Sequence, residues 1–369
     1  MAAHDRPVDL DLGHLAPEPM ARYRIGAIGS GFIMRDIQLL AYRNAGYETV
    51  AIASRTPCNA ADAAAMRGVA RVYADWHELL NDEDVEVLDI AYPPDLQLEI
   101  VRAAAETGHI RGILAQKPLA MNYPQAREVV AVCEQAGIAL GVNQNMRYDQ
   151  SIRALKTVLE RGYLGEPVLG TIEMRAIPHW QPFLEDYDRL TLLNMSIHHL
   201  DCFRFLFGDP DGVFVSARKD PRTRFEHRDG ICLYILEYDN GLRACSWDDV
   251  WAGPAREGAA ADCYIKWRVE GKEGMAQGTI GWPDYPNARP STMEFTTTSE
   301  PGVWFRPRWT EVWFPDAFAG TMGMLFDAIA TGTEPAVGGR DNLNTMALVD
   351  ACYLSLDEHR PVKVDEVKR

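Results

Sequence analysis

From residue 23 to residue 142, short apolar runs alternate with helix-forming stretches, and this alternation constrains the fold more than any other feature of the chain. The run Tyr23-Arg24-Ile25-Gly26-Ala27-Ile28-Gly29 predicts a short buried strand that ends in glycine, with a helix following through Leu40. Further strands are predicted at 49–53, 72–73, 87–91, 112–115 and 139–142, and further helices at 58–66, 76–81, 99–107 and 123–136. Strands joined by crossover helices lie parallel, so the expected fold class is α/β, with an N-terminal doubly wound parallel sheet of the Rossmann type over residues 22–145. Ligands of such sheets bind outside the carboxyl ends of the strands. The glycine turn, Ser54-Arg55, Pro93, Gln116-Lys117-Pro118 and residues 143–147 each follow a strand and are expected on one rim.

The turn Gly29-Ser30-Gly31-Phe32-Ile33 joins a strand to a helix N-terminus, where free amides and the helix dipole suit a pyrophosphate. Gly29 permits the tight turn and Gly31 lets a phosphate approach; Met34 stands where a third glycine is usual. A strand–helix turn without a ligand presents the same two glycines, so the context has to decide. The position that reads the adenosine ribose holds Ser54-Arg55 instead of a carboxylate. That permits a 2′-phosphate without requiring one, because Arg55 can equally stack on adenine. NAD and NADP both remain open.

Past Tyr148 the period changes. Residues 146–369 are expected to form a second α/β domain that binds substrate and makes the oligomer, and residues 1–21 an irregular arm. Helices are predicted at 151–161, 194–207, 318–331 and 342–355. Strands are predicted at 168–177, 213–217, 231–238, 242–247, 261–269, 274–280 and 293–298, with a closing segment at 362–364. Successive strands with few helices between them imply a large, mostly antiparallel sheet. With helices on one face, the other stays open, and a partner subunit is the expected cover, giving a homodimer or homotetramer.

Composition excludes several classes. The 369 residues exceed what one core organises, so two domains are expected. The net charge of −16 disfavours a nucleic-acid partner. No run of apolar residues is long enough to span a membrane, and residues 1–20 hold acidic residues and prolines instead of a signal-peptide core. The seven cysteines have no C-x-x-C spacing, and no His/Cys/Asp cluster has metal-ligand spacing, so a reducing cytoplasm and no metal are expected.

Taken together, Gly29-Ser30-Gly31-Phe32-Ile33, Tyr92-Pro93-Pro94, Gln116-Lys117-Pro118, Asn145-Met146-Arg147-Tyr148 and Asn194-Met195-Ser196-Ile197-His198-His199-Leu200-Asp201 resemble, in order and spacing, the glucose–fructose oxidoreductase / inositol dehydrogenase (Gfo/Idh/MocA) family. The resemblance covers about residues 22–366. It implies a nicotinamide-binding Rossmann domain, an open-sheet α/β domain, and NAD(P)-linked oxidation or reduction of a sugar or polyol. The substrate expected is a monosaccharide, at its anomeric carbon or at a ring hydroxyl. Lys117 matches the family lysine that touches the substrate hydroxyl and the nicotinamide ribose. His198 matches the acid/base histidine, and Asn194 matches an aspartate that partners them. The cofactor side is then Gly29, Ser30, Gly31, Phe32, Ile33, Ser54, Arg55, Pro93, Gln97, Gln116 and Lys117. The substrate side is Asn145, Arg147, Tyr148, Trp180 and His199. Three positions depart from the family pattern: Gln116 replaces a glutamate, Asn194 an aspartate and Gln97 a histidine.

The chemistry fits these residue types. Oxidising an alcohol needs a hydride acceptor and a proton acceptor, and the protein supplies the second. A histidine titrates in the right range, and a buried lysine is pushed there by desolvation. Asn194 lies one helical turn before His198 and can orient, although it cannot act as a base. His199 is about 100° further round the helix and is expected to play a different role. Two other readings share these residues. One is an NAD-recycling enzyme that oxidises or cleaves glycosides; the other is a non-catalytic dinucleotide-binding regulator.

Overall fold

The computed structural model describes residues 8–176, 182–250, 262–281 and 289–368. The chain divides into two compact units. The first comprises Ala16–Asn145 and Phe314–Met346. Its elements are β1 (Ile25–Ile28), α1 (Leu39–Asn44), β2 (Thr49–Ala53), α2 (Pro57–Arg67), β3 (Arg71–Tyr73), α3 (Trp76–Leu80), β4 (Val87–Ile90), α4 (Gln97–Thr107), β5 (Gly112–Ala115), α5 (Tyr123–Ala136) and β6 (Ala139–Val142). The helix expected directly after the glycine turn begins instead as a π-helical stretch, Ile33–Gln38, before α1. The strands form one parallel sheet in the order β3-β2-β1-β4-β5-β6. The order reverses between β1 and β4, which opens a crevice at their carboxyl ends. Asp75 and Asn122 cap α3 and α5 by accepting the amides of Glu78 and Gln125, so side chains fix where these helices start.

The second unit comprises the described residues of Met1–Leu15, Met146–Trp313 and Ala347–Arg369. In chain order the remaining elements are α6 (Gln150–Glu160), β7 (Pro167–Arg175), α7 (Ser196–Phe207), β8 (Gly212–Arg218), β9 (Ile231–Glu237), β10 (Arg243–Asp249), β11 (Tyr264–Gly271), β12 (Gly274–Ile280), β13 (Thr292–Thr297), α8 (Ala317–Thr331), α9 (Gly339–Glu358) and β14 (Val362–Lys363). Among the described residues the sheet has eight strands in the order β13-β12-β11-β7-β10-β9-β8-β14, with β7 and β10 the one parallel pair. Period-2 alternation decides its faces. Ile172, Met174, Ala244, Ile265, Trp267 and Phe295 point inward and are buried. α6 and α7 cover that side, and the Trp267 indole donates to Ser151 Oγ at 3.0 Å. Gly170 lacks a Cβ where one would meet Phe207 at 2.7 Å, so α7 lies close on β7. On the opposite face Phe214, Leu233 and Ile235 remain 39%, 50% and 45% exposed.

Sequence order does not decide which unit a helix joins. Residues 314–346, expected with the second domain, belong to the first unit. The cause is packing: Phe318, Met322, Leu325 and Phe326 of α8 share a core with Ile25, Val87 and Leu114. Gly112 admits this close approach, since a Cβ there would lie 2.6 Å from Ile329 Cδ1. The N-terminal arm divides as well. Residues 8–15 belong to the sheet unit, where Arg161 donates to the carbonyls of Asp9 and Asp11 and Leu12 is buried. Residues 16–21 belong to the first unit, where the Met20 amide donates to Asp327 Oδ1 at 2.7 Å. Among the described residues, no helix is long and apolar enough to cross a membrane.

Candidate active site

In the first unit the expected residues come together at the carboxyl ends of β1, β2, β4 and β5. Gly29 ends β1 with φ +117°, and its amide donates to the Ala53 carbonyl of β2 at 2.8 Å. A Cβ at this position would sit 2.6 Å from the Ala91 carbonyl oxygen, so the turn requires glycine. Gly31 is exposed, and its missing Cβ would meet nothing within 4 Å. That open space, at the first turn of the helix bearing Phe32 and Ile33, fits an approaching pyrophosphate. Ser30 Oγ donates to Ser54 Oγ at 2.8 Å, joining the ends of β1 and β2. Arg55 is exposed, with its guanidinium 5.9 Å from the centre of the Tyr92 ring. Gln116 carries a buried Nε2 with no hydrogen-bond partner, a donor placed for a ligand acceptor.

Lys117 follows Gln116 at the end of β5, and its peptide bond to Pro118 is cis. The residue keeps part of its surface accessible, yet desolvation pushes its pKa down to about 7. Gln97, expected at the cofactor, is fully buried, and both ends of its amide bond the Gln116–Leu119 backbone. Pro93, half-buried, accepts the Leu96 amide at 3.0 Å in the turn leading to α4. Beneath this rim Asp89 of β4 is fully buried, bonded by Gln38 Nε2 and by the Tyr42 hydroxyl. Burial pushes its carboxyl up to about 7.

In the sheet unit a π-helical turn, Thr191–Met195, leads into α7, so Asn194 and His198 lie on differently wound segments instead of one α-helix. Both are buried, and the His198 ring meets Trp313 edge-on with ring centres 6.0 Å apart. Three buried aspartates hold this segment. Asp229 accepts the amides of Leu190 and Leu192 at 2.9 and 2.8 Å and the Tyr353 hydroxyl at 2.8 Å. Asp248 of β10 accepts from Ser196 Oγ and from Ser246 Oγ, and lies 3.0 Å from His199 Nδ1. Asp201 makes a bidentate ion pair with Arg147, at 2.5 and 2.6 Å.

The expected substrate residues therefore divide. Arg147 and His199 face carboxylates inside the unit, with 7% and 0% of their surface exposed. Tyr148 is half-buried beneath the Arg153 guanidinium, 5.7 Å from its ring centre. Asn145, in the first unit, is buried and donates to the Asn143 carbonyl at 3.1 Å. Trp180 lies outside the described residues. Sequence reasoning missed Asp229 and Asp248 entirely; neither belongs to a motif, and only folding brings Asp248 to α7 and Asp229 to the turn before it. Among the described residues, no group of three His, Cys, Asp or Glu side chains is arranged to hold a metal.

Comparison with known proteins places this geometry. Residues 23–144 match the model of an oxidoreductase family with an NAD-binding Rossmann fold, and residues 156–364 match the C-terminal α/β domain of the same family. The chain is 28% identical to D-apiose dehydrogenase of Paraburkholderia graminis over 354 residues, covering 94% of this chain and 91% of the relative. It is 25% identical to myo-inositol 2-dehydrogenase of Thermotoga maritima over 313 residues, covering 81% of this chain and 86% of the relative. Its fold superposes on a levoglucosan dehydrogenase solved with NADH and levoglucosan, with a TM-score of 0.78 at 20% identity, covering 93% of this chain and 100% of that one. With both domain models matched in order along one chain, the protein belongs to the Gfo/Idh/MocA oxidoreductase family.

Proposed function

We propose that this protein is an NAD(P)-dependent dehydrogenase of a sugar or polyol, acting on a monosaccharide at its anomeric carbon or at a ring hydroxyl. The observation that carries the reading is Lys117: a lysine at the carboxyl end of a central Rossmann strand, with its pKa pushed down to about 7 by desolvation. Such an amine is half neutral near pH 7 and can take a proton from a substrate hydroxyl. The names of the sugar and cyclitol dehydrogenases among the relatives support the substrate class.

When bound, the nicotinamide supplies the hydride chemistry. The chain supplies the rest. Gly29, Ser30, Gly31, Phe32 and Ile33 cradle the pyrophosphate; Ser54, Arg55 and Pro93 line the adenosine side; Gln116 offers its Nε2 to the nicotinamide end. Lys117 of the first unit accepts the hydroxyl proton, and His198 of the sheet unit is the second candidate acid/base group. Asn194, an amide without a titrating proton, orients by hydrogen bonding. Asn145, Tyr148 and Trp180 are the candidate polyol contacts, while Arg147 and His199 brace the sheet unit through Asp201 and Asp248. A panel of aldoses, inositols and glycosides with NAD⁺ or NADP⁺ tests the reading. Appearance of reduced cofactor with one member supports it. Release of an aglycone without net reduced cofactor identifies the recycling enzyme instead.

Two further proposals follow from the surface. The exposed apolar residues Phe214, Leu233 and Ile235 on the open sheet face support a homodimer or homotetramer built on that face. Light scattering checks this, with Leu233→Glu expected to lower the mass. Cys58, Cys133, Cys202, Cys232, Cys245 and Cys352 are free thiols, which supports a reducing cytoplasmic location.

A further inference from the structure

We propose that Gln97 is a positioning residue for Lys117, fixing the backbone turn that carries the lysine instead of touching the cofactor. The proposal rests on the reading of Lys117 as a proton-handling group. Gln97 is the first residue of α4, and none of its surface is exposed. Its Nε2 donates to the carbonyls of Gln116 and Pro118, each at 2.9 Å, and to that of Leu119 at 3.4 Å. Its Oε1 accepts the Gln116 amide at 2.9 Å.

This arrangement continues the sheet past its end. The pairing of β5 with β4 closes with the Gln116 amide on the Ile90 carbonyl at 3.0 Å. Beyond that point the side-chain amide of Gln97 presents a donor and an acceptor, as a neighbouring strand would. Gln116 Oε1 then accepts the Lys117 amide at 3.0 Å, so the lysine's own peptide nitrogen is held too. The bonds flank Lys117 on both sides. A lysine has a flexible four-carbon stem, so holding its ammonium in one desolvated place requires a fixed root. The geometry assigns that task to one buried amide.

The other side chains at this position behave differently. Leucine removes the side-chain donor from the carbonyls of Gln116, Pro118 and Leu119, while the Gln116 amide keeps only the Ile90 carbonyl. Glutamate sets a carboxylate against those carbonyls. Histidine keeps a ring donor and restores part of the network.

The test uses the full chain as wild type and as Gln97→Leu, Gln97→Glu and Gln97→His. The pH dependence of Lys117 acylation by acetic anhydride, read by mass spectrometry, gives the lysine midpoint without turnover. Steady-state kinetics with NAD⁺ or NADP⁺ and the oxidised alcohol give kcat and KM. The wild-type midpoint is expected near 7. In Q97L and Q97E it moves by more than about one pH unit toward the ordinary lysine value, with Q97H between. In the same variants kcat falls about 10- to 100-fold, with the cofactor KM within about threefold of wild type. If Q97L does not fold, Q97H decides by the same two readouts. A midpoint and kcat unchanged in folded variants overturn the proposal. So does a rise in cofactor KM alone, which makes Gln97 a cofactor contact. A shifted midpoint in a protein that oxidises no alcohol rejects the dehydrogenase reading and leaves the positioning role standing.

Discussion

The two units place their candidate functional side chains by different means. In the first, the residues at the rim are set by the backbone: strand ends, a glycine at φ +117°, and a turn held by the Gln97 amide. In the second, α7 and the turn before it are set by buried carboxylates that reach them from other elements: Asp248 from β10, and Asp229, which precedes β9. A backbone-built site tolerates side-chain change wherever main-chain geometry survives. A site held by buried carboxyl groups depends on each keeping its hydrogen-bond or ion-pair partner, because a buried polar group left unpaired is costly.

Several experiments break or sharpen this contrast. The largest effect belongs to the chemistry: Lys117→Met should lower turnover by about 10³-fold while dinucleotide affinity, measured by calorimetry, stays close to wild type. His198→Ala should lower turnover by about 10²-fold with the same retention of cofactor binding. Next comes the ion-held half. Asp201→Ala leaves the Arg147 guanidinium buried without its bidentate partner and should destabilise the chain by about 3–5 kcal/mol in denaturant unfolding. If the loss were under about 1 kcal/mol, the pair would be no stronger than a surface salt bridge and the contrast would fail.

A pH-dependent effect of about 1.4 kcal/mol per pH unit at most should come from Asp89. Its carboxyl is raised to about 7 in the fold, above the ordinary aspartate value. The native chain therefore holds a proton that the unfolded chain has released, and this contribution to stability is lost as pH rises from about 4 to about 7. Unfolding curves of wild type against Asp89→Asn between pH 4 and 8 should converge at the acid end, with the variant relatively more stable at the alkaline end. The smallest effect is structural: Leu233→Glu on the open face should change the oligomer mass while leaving monomer stability within about 0.5 kcal/mol.

The same contrast explains what was legible in the sequence. The parallel sheet and its rim were readable because the candidate positions at strand ends directly follow an apolar run, as Gly29 follows β1 and Gln116 follows β5. The sheet of the second unit was readable from period-2 alternation, as in β9, where Cys232, Tyr234 and Leu236 are buried between exposed neighbours. Other features depend on tertiary packing. The membership of α8 is decided by the close approach at Gly112, which a local pattern does not report. The inward roles of Arg147 and His199 depend on Asp201 and Asp248, and nothing in the spacing of Asp248 marks it as a partner of α7. Gln97 sits three residues after the Tyr92-Pro93-Pro94 motif, so its neighbourhood was readable and its bonds to the Lys117 turn were not.

The most direct measurement of the central claim is the pH profile of kcat/KM for NAD(P)⁺-linked oxidation of the accepted sugar, in wild type and Lys117→Met. With the lysine pKa near 7, the wild-type rate should rise about tenfold per pH unit below 7 and level off above it. The variant should lose that limb together with most of its rate. A profile of the same shape and height in both proteins, or no reduced cofactor from wild type with any alcohol, would contradict the account.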